Sequence, residues 1–262
     1  MQFMKANFTR KKHLVISFLC LAFMGCSGHL LAQGEQNSGI DIGDYIIGAK
    51  AGVNFNSFTQ PGTTLGGNAG GYFRYQLLEF LQVQGEIVYS LKGGGRHEFN
   101  RSFYGVPGPD WSAGDIDGPI TSVTALNRSV LLHSVEVPVS IRLGLPELSG
   151  SAIEPKFIIG ASYSYNFAVF EQHDKLFYFE NGSRFLLSNQ EENVSADYYK
   201  HNIAIHGGFA VDYNLSNGKI FTTEFRYQRG ITNLNEVNLG LPETTDRLFS
   251  QTFNINVSYS IF

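Results

Sequence analysis

The stretch Leu81-Gln-Val-Gln-Gly-Glu-Ile-Val-Tyr-Ser-Leu-Lys92 decides the fold class of this chain. Alternate positions from Leu81 to Leu91 are mainly apolar, whereas most positions from Gln82 to Lys92 are polar and include both signs of charge. A period of two indicates a β-strand with one apolar and one polar face. At about 10 residues, such a strand can cross a bilayer when tilted. Its apolar face would pack on a core in a soluble sheet, but would meet lipid in a membrane barrel, so the rest of the chain must distinguish these classes.

The N-terminal residues have the order of a secretory signal peptide: a basic start, an apolar run over residues 14–24 and a small residue, Ala32, before Gln33. The apolar run is too short for a membrane-spanning helix. The sequence therefore predicts a signal peptide over 1–32, a periplasmic lead-in over 33–43 and a barrel domain over 44–262. An alternative reading places lipidation at Cys26 instead of cleavage after Ala32.

The composition of the chain excludes some kinds of site and partner. Both cysteines, Cys20 and Cys26, lie in the predicted signal segment, so the mature chain is expected to have no disulfide and no cysteine-based site. The formal net charge of −4 provides no basic footprint for nucleic acid. Aromatic residues, at 14% of the chain, and glycine, with 29 residues, are both frequent, whereas charged residues make up only 16%.

Eight segments with a period of two follow the lead-in, over residues 44–55, 69–77, 81–92, 128–143, 155–167, 202–214, 219–230 and 248–262. The connections between them alternate between longer ones, over 56–68, 93–127, 168–201 and 231–247, and shorter ones, over 78–80, 144–154 and 215–218. A soluble sandwich has no reason to sort its connections in this way. We therefore predict an all-β, eight-stranded antiparallel transmembrane β-barrel with short periplasmic turns and long extracellular loops.

The polar faces of these segments carry charges of both signs. An eight-stranded barrel is too narrow for an open pore, and side chains fill its interior. An unpaired charge there would be costly, so the charges must pair with one another. We predict an ionic network inside the barrel, formed by Lys50, Arg74, Glu86, Glu136, Arg142, Glu224 and Arg226.

The sequence gives no pattern for a catalytic, cofactor or metal site. Ser129 and His133 share a face but lie about 13 Å apart at roughly 3.3 Å per residue, too far for an acyl-hydrolase pair. His201 and His206 fall on opposite faces of one strand. Residues 115–118 resemble the start of a calcium loop but lack its remaining ligands. We therefore predict a protein that is not an enzyme and needs no cofactor. Pro138, within a strand, is expected to cause a bulge or a break in the ladder.

Three motifs resemble those of one family. The stretch from Leu81 to Gly93, the stretch Val135-Glu-Val-Pro-Val-Ser-Ile-Arg142 and the stretch Arg226-Tyr-x-x-Gly-Ile-Thr-Asn233 are similar to strands of PorT-like outer-membrane β-barrel proteins of Bacteroidetes. The resemblance implies an outer-membrane location and an eight-stranded barrel. One member of that family takes part in gliding and protein secretion. A terminal Phe is commonly read by the barrel-assembly machinery, and Phe262 is the expected assembly signal, although it lies one position off the strand alternation.

These observations support a first hypothesis of an integral, non-catalytic outer-membrane barrel with a packed polar interior. Its expected partners are outer-membrane lipid, the barrel-assembly machinery, and envelope or secretion proteins or surface polymers that contact the external loops. A second hypothesis is a narrow transport or ligand-binding barrel with an interior gap among Glu86, Glu136, Arg142, Glu224 and Arg226. A third is an enzyme at the rim that acts on lipid or peptide.

Overall fold

Ten β-strands make up most of the computed structural model, which describes residues 42–96, 99–107, 119–236 and 247–261. They are β1 (Tyr45–Phe58), β2 (Thr63–Leu78), β3 (Leu81–Gly95), β4 (Phe99–Pro107), β5 (Pro119–Gly144), β6 (Ile153–Phe179), β7 (Arg184–Asn193), β8 (His201–Asn214), β9 (Ile220–Gly230) and β10 (Ser250–Ser260). Two single turns of 3-10 helix lie at Pro146–Leu148 and Ser195–Asp197. Within the described ranges, no helix is long and apolar enough to span a membrane.

Eight of these strands close into an antiparallel ring in the order β1, β2, β3, β5, β6, β8, β9 and β10, with β10 paired back to β1. The closing seam is long, because it runs from Gly48 opposite Ser260 to Phe58 opposite Ser250. Ring closure leaves these strands with no free edge along the shared ladder. The predicted eight-stranded antiparallel barrel is therefore confirmed, and we refer to these eight as the ring strands.

The two faces of the ring are the reverse of those of a soluble protein. Large apolar side chains point outward, and Ile87, Phe157 and Ile159 are 67%, 66% and 61% exposed. The side chains between them point into the ring and are buried, although most are polar or charged. Because burial follows the period of two along each ring strand, the residues predicted for the lipid face do lie outside. This arrangement is typical of a transmembrane β-barrel.

Short turns join the ring strands at one end, over residues 79–80, 145–152 and 215–219. We call the opposite end the outer end. The predicted connection over 56–68 is wrong, because β1 and β2 extend through it and pair as far as Ser57 opposite Thr63. The turn over residues 59–62 is completed by Gly62 at a φ of 115°. The outer part of β2 could not be predicted from its pattern because it is rich in glycine, which has no side chain to show the alternation of apolar and polar positions.

Two ring strands extend far beyond the outer end of the ring. β5 has 26 residues and β6 has 27, and they stay paired out to Ile120 opposite Phe179. β4 pairs with the far part of β5, and β7 pairs with the far part of β6. We call the sheet of β4, residues 119–132, residues 168–179 and β7 the outer sheet. The predicted loops over 93–127 and 168–201 thus contain regular strands where the structure describes them.

The ladder between β3 and β5 is interrupted at Pro138. Gly85 pairs with Val139 and Val88 pairs with Glu136, but the two positions between them are unpaired. The register is the same on both sides, so the structure shows a break and not a bulge. Proline has no backbone N–H to donate, which accounts for the missing pair with Glu86.

Candidate functional site

Four charged side chains form the centre of the ring interior. Lys50 Nζ lies 3.0 Å from Glu86 Oε2 and 2.7 Å from Glu224 Oε1. The guanidinium of Arg226 lies 2.6 Å from Glu86 Oε1 and 2.9 Å from Glu224 Oε1. Each cation therefore contacts both carboxylates, and all four side chains are almost fully buried. The contacts link β1, β3 and β9, strands that lie far apart in sequence.

A second group continues this network toward the short-turn end. Asp212 Oδ1 lies 2.6 Å from Arg142 Nη2, and Asp212 Oδ2 lies 3.4 Å from Arg74 Nη1. Gln84 joins the two groups, because its Oε1 accepts from Arg74 at 2.9 Å and from Arg142 at 3.1 Å, while its amide donates to Glu86 at 2.7 Å. The connected network holds four cations and three carboxylates.

The sequence-predicted residues therefore fall into two places. Six of the seven lie in the connected network: Lys50, Arg74, Glu86, Arg142, Glu224 and Arg226. Glu136 lies apart from these contacts, in an ion pair with Lys92. Three further members were not in the predicted network: Asp212, Gln84 and Thr222, whose hydroxyl donates to Asp212 Oδ1 at 2.6 Å. The alternation of segment 202–214 does place Asp212 on the polar face, but that parity alone does not show which cations it contacts.

One cavity inside the ring is very small. A cavity of about 20 Å³ lies beside Lys50, Glu86, Glu136, Pro138 and Arg226. A water molecule needs about 10–15 Å³ of such volume, so one water fits and a solute does not. The interior thus resembles a packed polar core.

An apolar cluster closes the ring interior at its outer end. It consists of Phe58, Val130, Leu132, Val169, Tyr198, Leu234 and Leu248. Arg96 donates to the Tyr198 hydroxyl at 2.5 Å and to Asn235 Oδ1 at 2.6 Å. Burial raises the pKa of Tyr198 to about 12, so this phenol stays a neutral partner for Arg96. The cluster thus adds an apolar layer at the outer end of the ring.

A serine and a histidine meet inside the ring. Ser140 Oγ lies 3.0 Å from His206 Nε2, a distance that would suit a nucleophile and its base. Nδ1 of His206 has no hydrogen-bond partner within the described ranges, so the third group that would orient the ring is missing there. Both side chains are buried beneath the apolar cluster. The pair therefore serves as a structural contact between β5 and β8 over Gly160 of the intervening β6.

The outer sheet is the largest feature outside the ring. Along the part of the chain that the structure describes, β7 pairs on one side with β6 and has no strand on its other side. The side chain of Leu186 on β7 is 52% exposed, and Phe177 stands 6.4 Å from Phe185 across the pair. Gln172 donates to Glu191 at 3.0 Å, and Lys175 pairs with Glu192. The sheet thus offers both apolar and charged groups.

Asp174 joins three strands of the outer sheet. Its Oδ2 accepts from Asn127 Nδ2 at 2.9 Å, and its Oδ1 accepts from the backbone N–H of Asn189 at 2.9 Å. Asn127 and Asn189 both have positive φ, 52° and 57°, and each lies at an irregularity of β5 or β7. A left-handed backbone is uncommon outside glycine, and asparagine tolerates it best. Asp174 therefore stabilises two bends at once.

We expect Asp174→Ala to speed hydrogen exchange of the β7 amides about fivefold, as loss of about 1 kcal/mol of local stability would do. The hydrogen bond from Asn127, and then that from Asn189, lowers the pKa of Asp174 below its ordinary value of 3.8. Because the pKa of Asp174 is lower in the folded state than in the unfolded state, its carboxylate contributes its full stabilisation above pH 3.8. This contribution is lost as the pH falls through the folded-state pKa. Wild type and variant should therefore differ at pH 6 and converge in stronger acid. Glu180→Ala, an exposed acid in the same hairpin, is the control, and equal exchange in both variants would contradict the assignment.

The sequence and the fold are both similar to those of known outer-membrane proteins. Residues 31–236 match the sequence profile of a family described as outer membrane protein beta-barrel domain. The crystal structure of Ail, the attachment invasion locus protein of Yersinia pestis, is 11% identical, with a TM-score of 0.36 over 84% of this chain and 100% of that chain. The crystal structure of Neisserial surface protein A is 13% identical, with a TM-score of 0.39 over 82% of this chain and 95% of that chain. Among curated proteins, nothing matches.

Proposed function

The chain belongs to the outer membrane protein beta-barrel domain family, and on this premise we propose that it is a non-catalytic, non-conducting barrel whose outer sheet contacts partners outside the cell. The observation that carries the proposal is the extension of β5 and β6 past the ring, flanked by β4 and β7. In barrels of this kind, short turns face the periplasm and long segments face outward. The outer sheet would then stand clear of the bilayer.

The ring interior supports a structural role over transport. The second hypothesis required a gap among the interior charges, but Glu86, Arg142, Glu224 and Arg226 lie within one network of contacts. The cavity beside Glu136 holds about one water. The apolar cluster at the outer end adds a second barrier. A solute could pass only if both the network and the cluster separated.

The rim histidines also support a non-catalytic role. His133 Nδ1 lies 2.7 Å from the hydroxyl of Tyr89, and His201 Nδ1 lies 2.5 Å from the hydroxyl of Tyr163. In a Ser–His–acid arrangement, a carboxylate contacts this nitrogen and orients the imidazole ring. In both histidines here, a tyrosine hydroxyl takes that place. The third hypothesis, an enzyme at the rim, thus lacks a supporting arrangement among the described residues.

We further propose that the chain is a PorT-like barrel with envelope or secretion proteins as partners. Two of the three resembling motifs lie on neighbouring ring strands, β3 and β5, and supply Glu86, Glu136 and Arg142 to the interior. This support concerns the barrel and not the partner. The predicted signal segment 1–32 and the predicted assembly signal Phe262 lie outside the described residues, and both stay predictions.

Site-specific photocrosslinking in intact cells tests the outer sheet as a contact surface. A photoreactive residue at position 186, in β7, should give a discrete protein or polymer adduct. The same residue at position 47, on the outward face of β1 near the short turns, should give none, because that position faces lipid. Unboiled gel mobility should show that both variants fold as barrels. A folded protein with no adduct at 186, or with the same adduct at 47, would contradict the proposal.

A further inference from the structure

Charge is almost absent from the outward face of the ring. The outward face of the ring runs along each ring strand from its short-turn end, and it reaches Leu131 in β5 and Phe167 in β6. Among its described positions, Arg229 is the only Lys, Arg, Asp or Glu. Its side chain is exposed and pairs across the sheet with Ile205 on one side and Gln251 on the other. The other ring cations, such as Lys50 and Arg226, point inward and are paired.

The histidines that face outward lie at the same end of the ring as Arg229. His133 stands on β5 with its ring 5.5 Å from Phe170 and 6.2 Å from both Tyr89 and Phe167. His201 begins β8, the strand next to that of Arg229, with its ring 5.5 Å from Tyr165. We call the set Arg229, His133, His201, Tyr89, Tyr163, Tyr165 and Tyr227 the outer belt.

The short-turn end of the same surface has a different composition. Tyr45, Phe73, Tyr75, Tyr213 and Tyr259 lie there with aromatic side chains facing outward. Within the ring strands themselves, none of the described outward positions at that end is arginine, lysine or histidine. The nearest cation there is Lys219, in the turn before β9, and its Nζ donates to the backbone carbonyl of Ile261. Aromatic rings suit both interfaces of a membrane, so they do not distinguish its two sides. Within the ring strands, the outward arginine and histidines distinguish the two interfaces, because they lie only at the outer end among the described positions.

We propose that the outer belt binds the phosphate groups of glycolipids in the outer leaflet, with Arg229 as the principal contact. A cation is costly on the lipid face at mid-membrane but nearly free at the interface, where it can meet anionic headgroups. Arginine matches the oxygens of phosphate with two parallel N–H donors. The imidazole and phenol groups of the belt add donors at the same depth. This inference needs the barrel to lie in the outer membrane, but it is independent of what the outer sheet binds.

Native mass spectrometry of the detergent-solubilised full chain tests the inference. The probes are lipid A with two phosphates and the same lipid with both phosphates removed. We expect the wild-type chain to prefer the phosphorylated lipid, and Arg229→Gln to weaken binding of that lipid about tenfold, the effect of losing one charge-assisted contact. Arg229→Lys, which keeps the charge, should retain part of the preference.

The matched control is Arg184→Gln, which removes an exposed arginine of the outer sheet that lies over the ring of Tyr178. It should leave the preference for phosphorylated lipid unchanged. Unboiled gel mobility checks that each variant is folded. The His201→Gln variant tests the outer belt without altering Arg229, and we expect it to weaken binding of the phosphorylated lipid about threefold. The inference is overturned if the wild-type chain binds both lipids alike, if folded Arg229→Gln retains the preference, or if Arg184→Gln weakens binding equally.

Discussion

We expect the Asp212→Asn variant to lose about 3–5 kcal/mol of unfolding free energy, the usual effect of removing one partner from a buried ion pair. Asp212 is the carboxylate that contacts Arg142 at 2.6 Å and Arg74 at 3.4 Å, and these two arginine side chains are 0% and 1% exposed. Asparagine has nearly the same shape but no charge, so both guanidinium groups would remain buried next to a neutral amide. Urea titration of the refolded barrel in lipid vesicles, followed by unboiled gel mobility, measures the change.

The matched control for this variant is Glu192→Gln. Glu192 pairs with Lys175 in the outer sheet, and its side chain is 48% exposed. Exposed ion pairs contribute about 0–1 kcal/mol, so the control should unfold almost as wild type does. If both variants lost the same small amount, the ionic network would not be a principal source of barrel stability.

The second large effect concerns the lipid-facing surface. Ile159→Arg should lower the unfolding free energy by about 2–4 kcal/mol in lipid vesicles, the cost of arginine at the bilayer midplane of a barrel. Ile159 is 61% exposed and lies midway along the ring part of β6, opposite Ile141 on β5. The same urea titration in vesicles measures the change.

Leu186→Arg controls for exposure without lipid. Leu186 is 52% exposed but lies on β7 in the outer sheet. A surface substitution in water usually changes stability by less than about 0.5 kcal/mol. Equal losses in Ile159→Arg and Leu186→Arg would show that the exposed apolar surface of the ring does not face lipid.

The alternation from Leu81 to Leu91 correctly identified the strand and its outward face, and a matching segment identified part of every other ring strand, although it missed the outer half of β2. The reason is physical: a pleated strand with lipid on one side and packed polar groups on the other must alternate at every position. The alternation disappears where that contrast is missing. Residues 119–129 are mainly half-buried on both faces, so the sequence there lacks the alternation that would have predicted the long extension of β5.

The interior could be predicted as a set of residues but not as a set of partners. Parity placed Glu86 and Arg226 on the polar faces of segments 140 positions apart in sequence. Their contact depends on how the ring closes and on the register of every intervening strand, which no local pattern contains. The same dependence explains why Asp212 was not recognised as the shared partner of Arg74 and Arg142.

The sequence by itself determined the barrel class, the number of ring strands and which side chains face lipid, because each follows from a local period of two and from the order of short and long connections. The tertiary structure alone decided which charges pair, how completely they fill the ring, and that β5 and β6 continue into an outer sheet with β4 and β7. It also brought Arg229, His133 and His201 to the same end of the ring. Those features arise from register and closure, which couple residues far apart along the chain.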